Sequence, residues 1–121
     1  MEIWERFLSR YGREFTGFTY DVRVGEGVEV RPYWGDEIAR MAKLLTMKRI
    51  DVVGYKPGEV WIIEVKPHGG LSALGQLIAY ETLYRIKFNP TQTIRKALVC
   101  ETVDPDLPGL LLQYDITLYR V

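Results

Sequence analysis

Arg49-Ile50-Asp51, Glu64-Val65-Lys66 and Gln76-Leu77-Ile78-Ala79-Tyr80 follow one another over a short span, with apolar residues filling the intervals. Two carboxylates brought to one point bind a hard divalent cation, and oxygen ligands suit Mg²⁺ or Mn²⁺. An amine beside them can orient an attacking water or offset charge that develops on a phosphate. These residue types point to metal-assisted chemistry on a phosphodiester, provided the chain folds so that they meet.

The elements that must bring them together are legible as strand, strand and helix. Residues 50–55 and 60–65 are rich in β-branched and aromatic side chains, and Lys56-Pro57-Gly58-Glu59 between them is a turn signal. Alternate residues of a strand share a face. Glu64 and Lys66 therefore point one way, and Trp61, Ile63 and Val65 the other. Asp51 shares its face with Val53 and Tyr55. With the turn centred on Pro57-Gly58, Tyr55 faces Val60. Counting back sets Asp51 directly opposite Glu64, with Cβ atoms roughly 5 Å apart. A slip of one residue would send the acids to opposite faces. Pro-Gly suits a type II turn, whose twist matches a hairpin poorly, so a longer loop in the same register is expected.

Like charges directly opposed in a sheet destabilise it, and a cation between them reverses the sign. The bland alternative is a hairpin with one solvated face, on which Asp51, Glu64 and Lys66 form a surface salt-bridge cluster. Against it, both acids sit inside apolar runs, Ile50-Asp51-Val52-Val53 and Trp61-Ile62-Ile63-Glu64-Val65, where unpaired charge is costly. Pro67-His68-Gly69-Gly70 then ends the strand and opens a loop before the next helix.

This ordered set resembles the D-(x)n-(D/E)-x-K signature of the PD-(D/E)XK nuclease superfamily, and Gln76 to Tyr80 resembles the Q-x-x-x-Y motif of its RecB-like branch. The resemblance implies a restriction-endonuclease-like αβββαβ core and metal-dependent cleavage of DNA. It implies metal ligation by Asp51 and Glu64, with the Val65 carbonyl a further ligand and Lys66 catalytic. Gln76 would hold water or substrate near the metal, and Tyr80 would lie beside the DNA backbone. An acid from the first helix often joins the metal in this superfamily, which singles out Glu14, with Glu5 as the competing choice. An ordinary solvated glutamate is the alternative for each. Ile50 stands where the superfamily's name has proline, and the four-cysteine pattern of some RecB-like members is absent, since Cys100 is the lone cysteine.

A chain of 121 residues is one domain, 1–121, with room for a single core. Its formal net charge is zero, so it is not a broadly basic nucleic-acid binder, and attraction for phosphate must come from a local patch. Arg40, Lys43, Lys48 and Arg49 form the best candidate patch for backbone phosphates. The solvated side of an amphipathic helix is the competing account. Arg85, Lys87, Arg95 and Lys96 are a weaker group. His68, in the glycine-rich loop, could contact phosphate or relay a proton. A role-free loop histidine is the more common case. Trp34 could stack on an unpaired base, although core packing is more usual. One cysteine excludes an internal disulfide, and no apolar run approaches a membrane span. A cytoplasmic protein with DNA as partner is expected.

Elsewhere, Glu2–Phe15 carries apolar residues at Ile3, Trp4, Phe7, Leu8, Tyr11 and Phe15, a helical face. Gly17–Val24 reads as a strand. Residues 28–46, with a short helix opening at Asp36, read as an insertion before the catalytic hairpin. Ser72 is the expected cap of a helix to about Ile86, with Leu74, Leu77, Ile78 and Leu83 inward. Ala97–Glu101 reads as a buried strand, Asp104-Pro105-Asp106 opens a helix through Gln113, and Ile116–Val121 closes as a strand. The expectation is a mixed α/β sheet with helices on its faces and Mg²⁺- or Mn²⁺-dependent deoxyribonuclease activity. The alternatives are a structure-selective, Holliday-junction-type resolvase acting as a homodimer, and a non-catalytic nucleic-acid-binding module.

Overall fold

The computed structural model describes residues 2–24, Gly35 and residues 49–121. Helix α1 (Glu2–Tyr11) runs into a 3₁₀ turn at Gly12–Glu14. Strands β1 (Gly17–Arg23), β2 (Arg49–Lys56) and β3 (Glu59–Gly69) follow. Then come helix α2 (Leu71–Phe88), strand β4 (Thr93–Val103), helix α3 (Leu107–Gln113) and strand β5 (Ile116–Arg120). The described residues form one sheet in the order β1-β2-β3-β4-β5. The first three strands are antiparallel, and β3, β4 and β5 are mutually parallel. This is the mixed α/β architecture expected, with the αβββαβ order followed by a further helix and strand. Residues 28–34 and 36–46, including Trp34 and the expected short helix, lie outside the described residues, as do Arg40, Lys43 and Lys48.

Parallel neighbours need crossovers, and α2 and α3 supply them on one face of the sheet. Ala73, Leu74, Leu77, Tyr80 and Leu83 of α2 pack with Val53, Val60, Ile62 and Leu98, and with Leu107 and Leu111 of α3. Helix α1 covers the other face. Its Trp4 and Phe7 join Phe15, Val52, Trp61, Ile63, Ala97 and Val99. Gly54 makes this second layer fit, because a Cβ there would meet the Phe15 ring at 2.9 Å. No helix among the described residues is long and apolar enough to cross a membrane.

The hairpin has the expected register: Tyr55 pairs with Val60 and Val52 with Ile63. Its loop is shorter than expected. Lys56 pairs with Glu59, leaving only Pro57 and Gly58 in the turn, with Gly58 at φ +74°. The awkward twist is held from outside, since Thr93 N–H donates to Gly58 O at 3.0 Å as β4 docks alongside. Strand β3 also runs past Lys66 instead of ending there, and His68 and Gly69 pair with Thr102 and Val103. The pairing of β2 with β3 stops at Ile63, so among the described residues Pro67 sits where one edge of β3 has no strand beside it, a position that tolerates its missing N–H.

At α2 the N-cap is Gly70, not Ser72, and no side chain caps it. Ile78 is 37% exposed rather than inward, and Tyr80 takes the buried position. The helix ends on Asn89 in the left-handed conformation, with its N–H bonded to Arg85 O.

Candidate active site

The pairing of β2 with β3 lapses where the acids face each other, and the two side chains replace the missing backbone bonds. Val65 N–H donates to Asp51 Oδ2 at 2.9 Å, and Asp51 N–H donates to Glu64 Oε1 at 3.4 Å. Each carboxylate thus reaches the backbone of the opposite strand, and both are held side by side. Glu64 is 2% exposed, the one buried charged side chain among the described residues. Burial, with the Asp51 carboxylate second, raises the Glu64 pKa from 4.5 to about 8. Among the described residues its counter-charge is Lys66 Nζ, 3.8 Å from Glu64 Oε2.

These residues open into a cleft of about 430 Å³ lined by Asp21, Arg49, Asp51, Glu64, Lys66, Gln76 and Tyr80. Gln76 projects into it from α2, and its Oε1 is buried without a hydrogen-bond partner. A buried amide oxygen left unpaired is rare, and among the described residues this one has no partner, on a side chain that lines the same cleft as the carboxylate pair. The donor set of two carboxylates and an amide oxygen fits a hard divalent cation that keeps water or phosphate as its remaining ligands. Among the described residues no group of three or more His, Cys, Asp or Glu side chains is arranged to hold an ion.

Several expected members are placed differently. Tyr80, expected beside the DNA backbone, lines the cleft but is only 1% exposed. Its hydroxyl is pushed up to about 12, mainly by burial and then by Glu64 and Asp51. Glu14 is not in the cleft. It pairs with Lys56 at 3.5 Å, at the turn end of the hairpin, because the chain leaves α1 toward that end. Glu5 is exposed on α1. His68 is a strand residue, not a loop one. Its Nδ1 meets Thr102 Oγ1 at 2.7 Å and its Nε2 meets Asp104 Oδ1 at 2.6 Å, outside the cleft lining. Val65, expected to offer its carbonyl, sits between the acids with its N–H tied to Asp51. The second basic group is largely neutralised within the chain: Arg85 and Lys96 pair with Glu81, and Arg95 pairs with Glu59.

Asp21 was not foreseen. The pairs Tyr20–Val52 and Val22–Ile50 flank it, so Asp21 stands opposite Asp51 as Asp51 stands opposite Glu64. Its backbone is left-handed, φ +59°, and strand alternation breaks there. Phe18 and Tyr20 pack with Trp4 on the α1 face, whereas Val22 and Val24 belong to the α2 face. Strand β2 switches in the same way, with Ile50 in the α2-side core and Val52 in the α1-side core. Arg49 Nη1 donates to Asp21 Oδ2 at 2.8 Å.

A larger groove of about 620 Å³ lies near α3 and β5, lined mainly by Trp61, Pro108, Leu111, Leu112, Ile116 and Leu118. It is mostly apolar, with Glu59, Arg95, Asp115 and Thr117 at its walls, and it lacks the acid pair, so we assign the chemistry to the smaller cleft.

No family profile and no curated protein matches this chain. Two solved structures share its fold. One is a repair endonuclease from Pyrococcus abyssi, with TM-score 0.59 and 17% identity, over 99% of this chain and 45% of that one. The other is an EndoMS–dsDNA2 complex, with TM-score 0.58 and 16% identity, over 99% of this chain and 43% of that one. The chain spans less than half the length of either.

Proposed function

We propose that this chain is a metal-dependent nuclease that hydrolyses phosphodiester bonds in DNA. The observation that carries the reading is the buried Glu64 carboxyl held against Asp51, with Lys66 and the unpartnered Gln76 oxygen on the same cleft. A fold whose neighbours are a repair endonuclease and a DNA complex supports it. Asp51 and Glu64 would hold Mg²⁺ or Mn²⁺, with the Val65 carbonyl and Gln76 as further oxygen donors. When bound, the ion lowers the pKa of water and polarises a phosphoryl oxygen.

The chain's own groups do the rest. Glu64 must lose its proton to bind the ion, which its burial and Asp51 oppose and Lys66 favours. The Lys66 ammonium donates to a non-bridging phosphate oxygen and offsets the charge that grows there during in-line attack. Arg49, with Arg40, Lys43 and Lys48, supplies backbone phosphate contacts that set affinity and its salt dependence.

Incubation with supercoiled, linear, single-stranded and branched DNA tests this. Cleavage with Mg²⁺ or Mn²⁺, none in chelator and little with Ca²⁺ is the expected result. Full activity in excess chelator removes the mechanism, and binding without cleavage on every substrate favours a non-catalytic module. A second reading, resolution of branched DNA by a homodimer, draws on Leu71, Ile78, Ile86 and Phe88, apolar residues exposed along α2. Sedimentation as a monomer would remove it.

A further inference from the structure

Two cations lie together beyond one end of the acid pair, since the hairpin register that opposes Asp51 to Glu64 sets Arg49 opposite Lys66. Lys66 follows Glu64 by two residues on β3, and Arg49 precedes Asp51 by two residues on β2. Both line the cleft. A phosphate drawn to Asp51 and Glu64 would come within reach of both, since all four residues line one cleft. Lys66 has a buried neighbour to orient it, in Glu64. Arg49 is 40% exposed and opens its strand, so packing alone does not hold its long side chain over the cleft.

Asp21 supplies that hold. It touches Arg49 through a single contact, Nη1 to Oδ2 at 2.8 Å. A guanidinium carries five N–H donors in a rigid fork, and among the described residues only Nη1 has an acceptor, so the others can meet a second anion. The ion pair itself is exposed, 40% at Arg49 and 66% at Asp21, and such pairs add little to stability. Yet the backbone adopts φ +59° at Asp21, a conformation uncommon for a non-glycine residue that Asp and Asn tolerate better than most. Fold stability gives this carboxylate little to do, and the proposed chemistry leaves it no ligand role.

We propose that Asp21 is a positioning residue: it anchors one edge of the Arg49 guanidinium so that the free edge faces a phosphate within reach of both Arg49 and Lys66. This rests on the nuclease reading for the identity of the anion. The anchor also keeps a third carboxylate from repelling that anion, since its charge is spent on Arg49. An unanchored arginine would have to lose its rotamer freedom on binding, and affinity would fall accordingly.

The test is a double-mutant cycle on binding of a fluorescent duplex oligonucleotide in Ca²⁺, read by anisotropy. Asp21→Asn and Asp21→Gly remove the same charge, and both residues accept a positive φ. Only asparagine keeps an oxygen for Arg49 Nη1. Asp21→Gly should bind about two- to fivefold more weakly than Asp21→Asn, as loss of one net hydrogen bond predicts. In an Arg49→Ala background the two should bind alike. Equal affinities with Arg49 present, tighter binding by Asp21→Gly, or the same gap in both backgrounds would each overturn the inference, as would absence of DNA binding by the parent chain. If Asp21→Gly does not fold, Asp21→Ala takes its place, and its backbone strain cancels between backgrounds. Cleavage in Mg²⁺ is scored separately. A parent chain that binds but never cuts defeats the nuclease reading while leaving the cycle readable.

Discussion

Replacing Glu64 by glutamine should make the metal-free protein more stable, and by an amount that grows with pH. The introduced amide has the shape of the protonated acid and can keep the contact with the Asp51 N–H. In the parent chain the Glu64 pKa rises from 4.5 to about 8 on folding. A carboxyl whose folded pKa is raised leaves the native state unpenalised below pH 4.5. Stability is then lost as pH climbs through that value, and the loss levels off above about 8. At pH 7 the gap spans 7 − 4.5 = 2.5 pH units, or about 3 kcal/mol at 1.36 kcal/mol per unit. For a domain of this size that is roughly 10 °C in melting temperature. Parent and Glu64→Gln should therefore melt together near pH 4.5 and separate steadily toward pH 8 in chelator. A divalent ion needs the ionised carboxylate, so in the parent its binding should release close to one proton at pH 6–7, read by calorimetry in buffers of different ionisation enthalpy. Its apparent affinity should rise nearly tenfold per pH unit over that range and flatten above 8. A parent chain whose metal-free stability is flat or rises between pH 5 and 8 would refute the reasoning, as would Glu64→Gln melting below the parent at pH 8.

Lys66→Ala should lower single-turnover cleavage at least about a hundredfold, with circular dichroism unchanged and DNA affinity largely kept, because binding spreads over several phosphate contacts. Parent-like cleavage would sink its assignment. Gln76→Leu removes an unpaired buried oxygen, so stability should hold or rise by up to about 1 kcal/mol while metal affinity falls. A variant that binds Mg²⁺ as the parent does would show that Gln76 is no ligand. Gly54→Ala sets a Cβ 2.9 Å from the Phe15 ring and should cost about 1–3 kcal/mol in urea unfolding at unchanged m-value; an unchanged midpoint would mean that α1 repacks freely.

How much of this was legible in the chain follows from the range of the interaction concerned. The opposition of Asp51 and Glu64 was readable because a hairpin's register depends on a local turn and a period of two, and Tyr55–Val60 settles everything behind it. The helical face of α1 and the core role of Leu77 and Leu83 were readable for the same reason, periodicity over neighbouring residues. What the chain alone left open depends on contacts between distant segments. The extra strand length at Pro67–Gly69 exists because β4 arrives alongside it. His68 looked like a loop residue until Thr102 and Asp104 came within reach. The depth at which Glu64 lies, hence its raised pKa, is set by α2 crossing over the sheet. Asp21 gave no local sign, because its partner Arg49 is 28 residues away in sequence. Only the pairing of β1 with β2, together with a left-handed residue that no hydrophobic pattern encodes, turned it toward the cleft.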